Sequence, residues 1–226
     1  MKTNIVKLLA FVAAATLALS VNAADDASNS SGVSGSLSTS FATENNYRGA
    51  DIGDDTLNVG AELRGTVSGV ETYSSIVTSQ SIDGGDDQYY ITAGIASQLF
   101  GLDLDTGYLH TENVPGGTAD ELFARLTAKS LLNLSGVVYY ELDDELWTTE
   151  IGVSKTLDLD IASVTGRASI GNTEVTNSND RTYYVVGADA RRELAENVEL
   201  VAGLDFVDAD DREDDTCFHA GIAIKF

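Results

Sequence analysis

The chain has few of the features that stabilise secreted modules or bind nucleic acid. Its single cysteine, Cys217, rules out an internal disulfide. One proline in 226 residues argues against a loop-rich module and suits long regular strands. After the N-terminal segment no apolar run approaches the ~18 residues of a membrane-spanning helix. Basic residues are scarce: 13 Lys and Arg against 36 Asp and Glu give a net charge of −23, a balance that repels nucleic acid. Histidine is limited to His110 and His219. A catalytic nucleophile needs a base in reach and a group to orient it. The hydroxyls of Thr106 and Thr111 beside His110 are no evidence of either, so neither an enzyme nor a cofactor is expected.

What is present is alternation. Hydrophobic content of 43%, with 21 glycines and 9 tyrosines, argues against a disordered acidic chain. In Cys217–Phe226, Phe218, Ala220, Ile222, Ile224 and Phe226 form one apolar row, and His219, Gly221, Ala223 and Lys225 form the other. Period two is the signature of a strand with one apolar face. Leu57, Val59, Ala61 and Leu63 repeat it, as do Leu122, Ala124, Leu126 and Ala128, and Val198 through Phe206. Residues 1–23 read as a secretory signal peptide, with Lys2 and Lys7, an apolar stretch, and small residues before a cleavage site near Ala23. Residues 24–32 read as a flexible lead-in and 33–226 as one all-β domain.

Twelve strands are expected, near 33–44, 56–64, 69–79, 88–97, 101–111, 120–129, 133–142, 145–155, 159–170, 181–192, 197–207 and 216–226, with ten as the alternative count. The strand near 69–79 has no clear apolar row, so its register stays open. Each is about ten residues, the length a tilted strand needs to cross hydrocarbon. Connections alternate between short turns and longer stretches rich in Asp, Asn and Gly. The longer class runs 44–55, 80–87, 112–120, 171–180 and 208–215, with Asp143–Asp144 as a tight exception. That layout predicts a closed antiparallel transmembrane β-barrel with short periplasmic turns and longer acidic outer loops, in the outer membrane of a Gram-negative cell. A soluble secreted β protein is the remaining architecture.

Two short motifs carry a resemblance. Glu44-Asn-Asn-Tyr47-Arg48-Gly49 and Leu104-Asp-Thr-Gly107-Tyr108 resemble features of an uncharacterised family of proteobacterial outer-membrane barrels with Tyr-Arg-Gly after the first strand. The C-terminal Phe is similar to the signal read by the barrel-assembly machinery, which makes Phe218, Ile222, Ile224 and Phe226 the candidate assembly residues. The resemblance implies a barrel and passive, porin-like transport, without a defined substrate. A twelve-strand barrel is also similar in size to the acidic-oligosaccharide porins, which resemble arginine-lined channels. The polar row here instead carries more acids than bases.

If the apolar row faces lipid, the other row faces the lumen. Candidate pore-lining residues are then Glu62, Arg64, Asp103, Asp105, Glu121, Arg125, Lys129, Glu141, Glu150, Arg167, Asp189, Arg191, Glu199 and Asp205. Acid-rich lumens favour cations, so the leading expectation is a narrow, weakly cation-preferring channel for small polar solutes. Alternatively the charges pair into a network that fills the lumen, giving a non-conducting structural or surface-interaction barrel. Tyr73, Tyr89, Tyr90, Tyr108, Tyr139, Tyr140, Tyr183, Tyr184 and Trp147 are expected mainly as interfacial girdles. Expected partners are outer-membrane lipid, lipopolysaccharide and divalent cations at acidic loops such as Asp208–Asp215, which lacks the spacing of a calcium loop. His219 is expected to meet loop acids.

Overall fold

The computed structural model describes residues 32–67, 69–82, 86–114, 117–175 and 179–226; the expected signal peptide and most of the lead-in lie outside them. Among the described residues the chain forms twelve strands: β1 (Ser34–Tyr47), β2 (Ala50–Val67), β3 (Val70–Ser81), β4 (Gln88–Leu99), β5 (Leu102–Val114), β6 (Gly117–Ala128), β7 (Asn133–Glu141), β8 (Trp147–Leu159), β9 (Ala162–Thr173), β10 (Arg181–Ala195), β11 (Val198–Ala209) and β12 (Asp215–Lys225). Each pairs antiparallel with its chain neighbours, and β1 pairs with β12, which closes the barrel.

The register assigns the faces. Directly opposed residues share a face of the sheet, so Leu37↔Ile224, Thr39↔Ile222 and Phe41↔Ala220 extend one row across the seam. That row continues through Leu57, Val59 and Leu63 on β2 and through Leu200 and Leu204 on β11. Leu122, Ile151, Val186 and Phe218 on it are 50–61% exposed. Side chains of this kind forfeit roughly 1.5–3 kcal/mol each when left in water, so the surface suits hydrocarbon. The opposite row joins strands that are not neighbours, as where Tyr73 on β3 donates to Asp105 on β5 and Tyr183 on β10 donates to Glu150 on β8. Side chains converge in that way on the concave side.

β3 also resolves. Its outward row is Thr72, Ser74, Ile76 and Thr78, and Glu71, Tyr73, Ser75 and Val77 face inward. Hydroxyls on the outer row erase the contrast on which alternation depends.

Two of the expected long loops are corrected. Residues 44–55 are not an outer loop: β1 and β2 stay paired through Tyr47↔Ala50, leaving only Arg48 and Gly49 as a tip. Residues 112–120 are likewise mostly strand, paired as far as Val114↔Gly117. Polar strands that do not cross lipid need no apolar row, so composition alone read them as loop. The 142–146 connection, expected to be tight, spans five residues between β7 and β8.

The seam is close-packed. Gly35 and Phe226 exchange both backbone hydrogen bonds, at 2.8 and 2.9 Å. Gly221 lies on the inward row, and a Cβ there would strike the Thr39 carbonyl oxygen. The small residue is required by the approach of β1. Gly221→Val should therefore abolish the compact, heat-modifiable band of the folded barrel on a gel. Gly136→Val, where a Cβ has nothing within 4 Å, should leave it intact.

Candidate functional site: a hairpin seated across the lumen

The β1–β2 tip folds into the barrel. Asn45 and Asn46 mark a register shift in the ladder. Gly53 at φ +139°, Arg48 at φ +52° and Gly49 at φ +76° supply the bend. Asn45 Nδ2 donates to Ser79 on β3 (2.8 Å) and to Gln88 on β4 (2.6 Å), and Gln88 donates to the Ile52 carbonyl (2.6 Å). These bonds fasten the hairpin to the near wall.

The far wall takes its tip. Arg48 forms a two-pronged ion pair with Glu121 on β6, one arm of it Nη2 to Oε2 at 2.7 Å. The Tyr47 hydroxyl donates to the same carboxylate at 3.0 Å. The guanidinium lies 4.0 Å from the Tyr139 ring centroid and 4.7 Å from that of Tyr47. The side chains of Arg48 and Glu121 are 14% and 4% exposed. A charge so buried is tolerable only when paired and hydrogen-bonded, and here both conditions hold. Gly49 passes against β10 and β11, where a Cβ would sit 2.6 Å from Tyr183 Cβ.

Register and contacts place the expected lumenal residues. Glu62, Arg64, Asp103, Asp105, Glu121, Arg125, Glu141, Glu150, Arg167, Asp189, Arg191, Glu199 and Asp205 all lie on the concave row. Lys129, just past β6, reaches it through Asp103 at 2.6 Å. They fall into separate clusters. Arg64 bridges Glu62 and Glu71 at 2.6 and 2.8 Å. Lys225 holds Glu199 at 2.6 Å, with Arg191 at 4.0 Å. Arg167 binds Asp189 and both oxygens of Asp205. His219 meets Asp189 at 2.8 Å, a strand carboxylate rather than the loop acids expected. Phe218, Ile222, Ile224 and Phe226 lie on the outward row, 42–58% exposed.

The girdle expectation is corrected for several tyrosines. Tyr73, Tyr90, Tyr139 and Tyr183 face the lumen, whereas Tyr89, Tyr108, Tyr140, Tyr184 and Trp147 face outward. The signal was in the sequence: each Tyr-Tyr doublet must put one ring on each face, because the period is two. Tyr47 and Arg48 were read only as a motif, since no local pattern reveals that a hairpin turns inward.

His110 faces outward, where its Nδ1 lies 2.7 Å from Asp120 and the Tyr108 hydroxyl donates to the same carboxylate. This polar group stands at the end of the barrel opposite the termini. In the loop 210–214, Arg181 Nε donates to Asp211 at 2.7 Å and holds its carboxyl below the usual range. Among the described residues, no three His, Cys, Asp or Glu side chains converge as a metal site.

Beneath the hairpin a cavity of about 340 Å³ opens between it and the β8–β12 wall. Glu44, Asn46, Glu150, Arg167, Asp205 and His219 contribute to its lining.

The fold places the chain among known barrels. The NanC porin superposes with a TM-score of 0.56 at 10% identity, covering 84% of this chain and 100% of its own. The KdgM porin, solved in complex with disordered oligogalacturonate, gives 0.56 at 9% identity over 85% and 99%. The translocator domain of the autotransporter NalP from Neisseria meningitidis gives 0.54 at 13% identity over 97% and 98%. Likeness at these identities is likeness of fold. No protein-family model and no curated protein matches the chain.

If Glu121 holds the tip in place, Glu121→Gln should release it, since breaking a buried ion pair costs about 3–5 kcal/mol. Trypsin should then cut after Arg48, seen as a new fragment end by mass spectrometry. The folded wild-type barrel should resist cleavage there.

Proposed function

We propose that the chain is an outer-membrane channel for passive passage of small polar solutes, narrowed at its outer mouth by the β1–β2 hairpin. The observation that carries this reading is an apolar, exposed exterior around a charged lumen with a cavity under the hairpin. The likeness of fold to the NanC and KdgM porins supports it. A weak cation preference follows from the acids that keep no basic partner, Glu150 among them, which accepts only the Tyr183 hydroxyl among the side-chain bonds described. In this proposal, residues 1–23 are removed near Ala23 on export, and the assembly machinery reads the strand ending at Phe226. The outer ends, acidic at Asp143–Glu145 and Asp208–Asp215, face lipopolysaccharide and its divalent cations.

A second reading has its own observation. The buried Arg48–Glu121 pair spans the mouth, as a permanent plug in a non-conducting structural or surface-interaction barrel would require. Planar-bilayer recording separates the two. Under the channel reading, purified protein gives small conductance steps with potassium favoured over chloride. Deleting Tyr47–Gly49 should raise step size severalfold, because the tip lies across the lumen between β6 and β10. Silence from both proteins would leave the plug.

A further inference from the structure

We propose that the lumenal face of β6 holds a binding station for a neutral sugar in its ring form, built on Phe123 and Arg125 with Asp105 of β5. The inference rests on the channel reading and names a solute class for it, while binding itself is measurable without conduction.

The uncommitted charges lead there. Among the described residues, every other lumenal base holds a carboxylate: Arg48, Arg64, Lys129, Arg167 and Lys225 are ion-paired, and Arg191 stands 4.0 Å from Glu199. Arg125 forms no ion pair among them. Its side-chain bond is a long 3.4 Å contact to the Tyr139 hydroxyl, and it is exposed on the lumenal row. Asp105 lies directly across the ladder from it. That carboxylate accepts from the Tyr73 hydroxyl at 2.7 Å and, among the described residues, takes part in no ion pair either. An open guanidinium fork and an open carboxylate therefore stand side by side. An ammonium ion would meet Arg125 with like charge, and a carboxylate would meet Asp105 in the same way. Two neighbouring hydroxyls incur neither penalty, since one accepts from the guanidinium while the other donates to the carboxylate.

The wall beside them supplies a flat apolar surface. Phe123 precedes Arg125 on the inward row of β6 and lies against the bare backbone of β5, where a Cβ on Gly107 would come 2.9 Å from its ring. Gly94, directly across from Gly107, is covered by Tyr73 in the same way. Covering strand backbone that has no side chain is one task of such rings, and it leaves the opposite face turned to the lumen. The neighbouring rings already carry cations, Arg64 over Tyr73 at 5.2 Å and Arg48 over Tyr139 at 4.0 Å. Phe123 carries none among the described residues and meets Tyr139 at a tilt of 41°. The C–H face of a pyranose fits a ring of this kind, as its hydroxyls fit the charges alongside. Glu121, which holds the hairpin tip, is the next inward residue of the same strand. The station therefore lies immediately below the tip.

The test uses the folded barrel in a sugar-free detergent and a saturation-transfer NMR titration with four probes: methyl β-glucoside, sorbitol, glucuronate and leucine. The glucoside should bind saturably, with its ring C–H protons receiving the strongest transfer. Sorbitol keeps the hydroxyls without a flat ring, glucuronate adds a carboxylate, and leucine offers a zwitterion instead of hydroxyls. Each should bind at least about fivefold weaker. Arg125→Gln and Phe123→Leu, each verified as folded by heat-modifiable migration, should weaken the glucoside about tenfold, through loss of a charged hydrogen-bond partner and of the stacking face. Arg192→Gln, on the outward row of β10, should leave it unchanged. Absence of glucoside binding, equal or tighter binding of any other probe, or undiminished binding by either of the two lumenal variants overturns the station. A barrel that binds the glucoside but never conducts keeps the station and removes the channel. A barrel that conducts without binding does the reverse.

Discussion

Everything in this barrel depends on the ladder between β1 and β12. In a hydrocarbon solvent an unpaired backbone amide or carbonyl costs roughly 4–8 kcal/mol, so an open sheet of this length would be unstable there. Closure removes both edges at once. It runs from Ser36↔Lys225 to Ala42↔His219 and ends where Gly35 and Phe226 exchange hydrogen bonds. Gly221 permits that approach, because any side chain would strike the β1 backbone. Closure also creates an inside, and the inside sets the remaining problems.

The first is charge. A lumen lined with Glu, Asp, Arg and Lys brings opposite charges within reach of one another, and they pair into clusters. Glu62–Arg64–Glu71 and Glu199–Lys225 lie towards the termini, and Arg167–Asp189–Asp205 with His219 lies above them. The second is space. Twelve strands enclose more room than their side chains fill, and the chain spends its own first hairpin on the outer part of it. Arg48, sandwiched by Tyr47 and Tyr139 and held by Glu121, makes that insertion definite. The same insertion covers the cavity beneath it, so the tie at Arg48 and the shape of that cavity depend on the residues of one hairpin.

The division of labour between local pattern and global geometry can be read from particular residues. Leu57 to Leu63 and Phe218 to Phe226 were legible because an apolar exterior and a charged interior impose opposite demands on alternate residues. β3 was harder, since Thr72, Ser74 and Thr78 put hydroxyls on the outer row. The inward turn at Tyr47–Gly49 was not legible at all. Its residues are polar and glycine-rich, as an exposed loop would be, and their hydrogen-bond partners lie up to 100 positions away in the chain.

Local pattern carried the all-β class, the strand spacing and the two faces of most strands, whereas the count of twelve over ten and the register of β3 came from the closed ladder. Period-two alternation is a local property, and every residue on a strand inherits its face from its neighbours. Which charges meet, which tyrosines line the lumen together, and that the first hairpin lies within the barrel emerged only with the closed fold. Those facts depend on closure and on contacts between distant strands, where energy comes from pairing a buried Arg48 with Glu121 and not from any pattern along the chain.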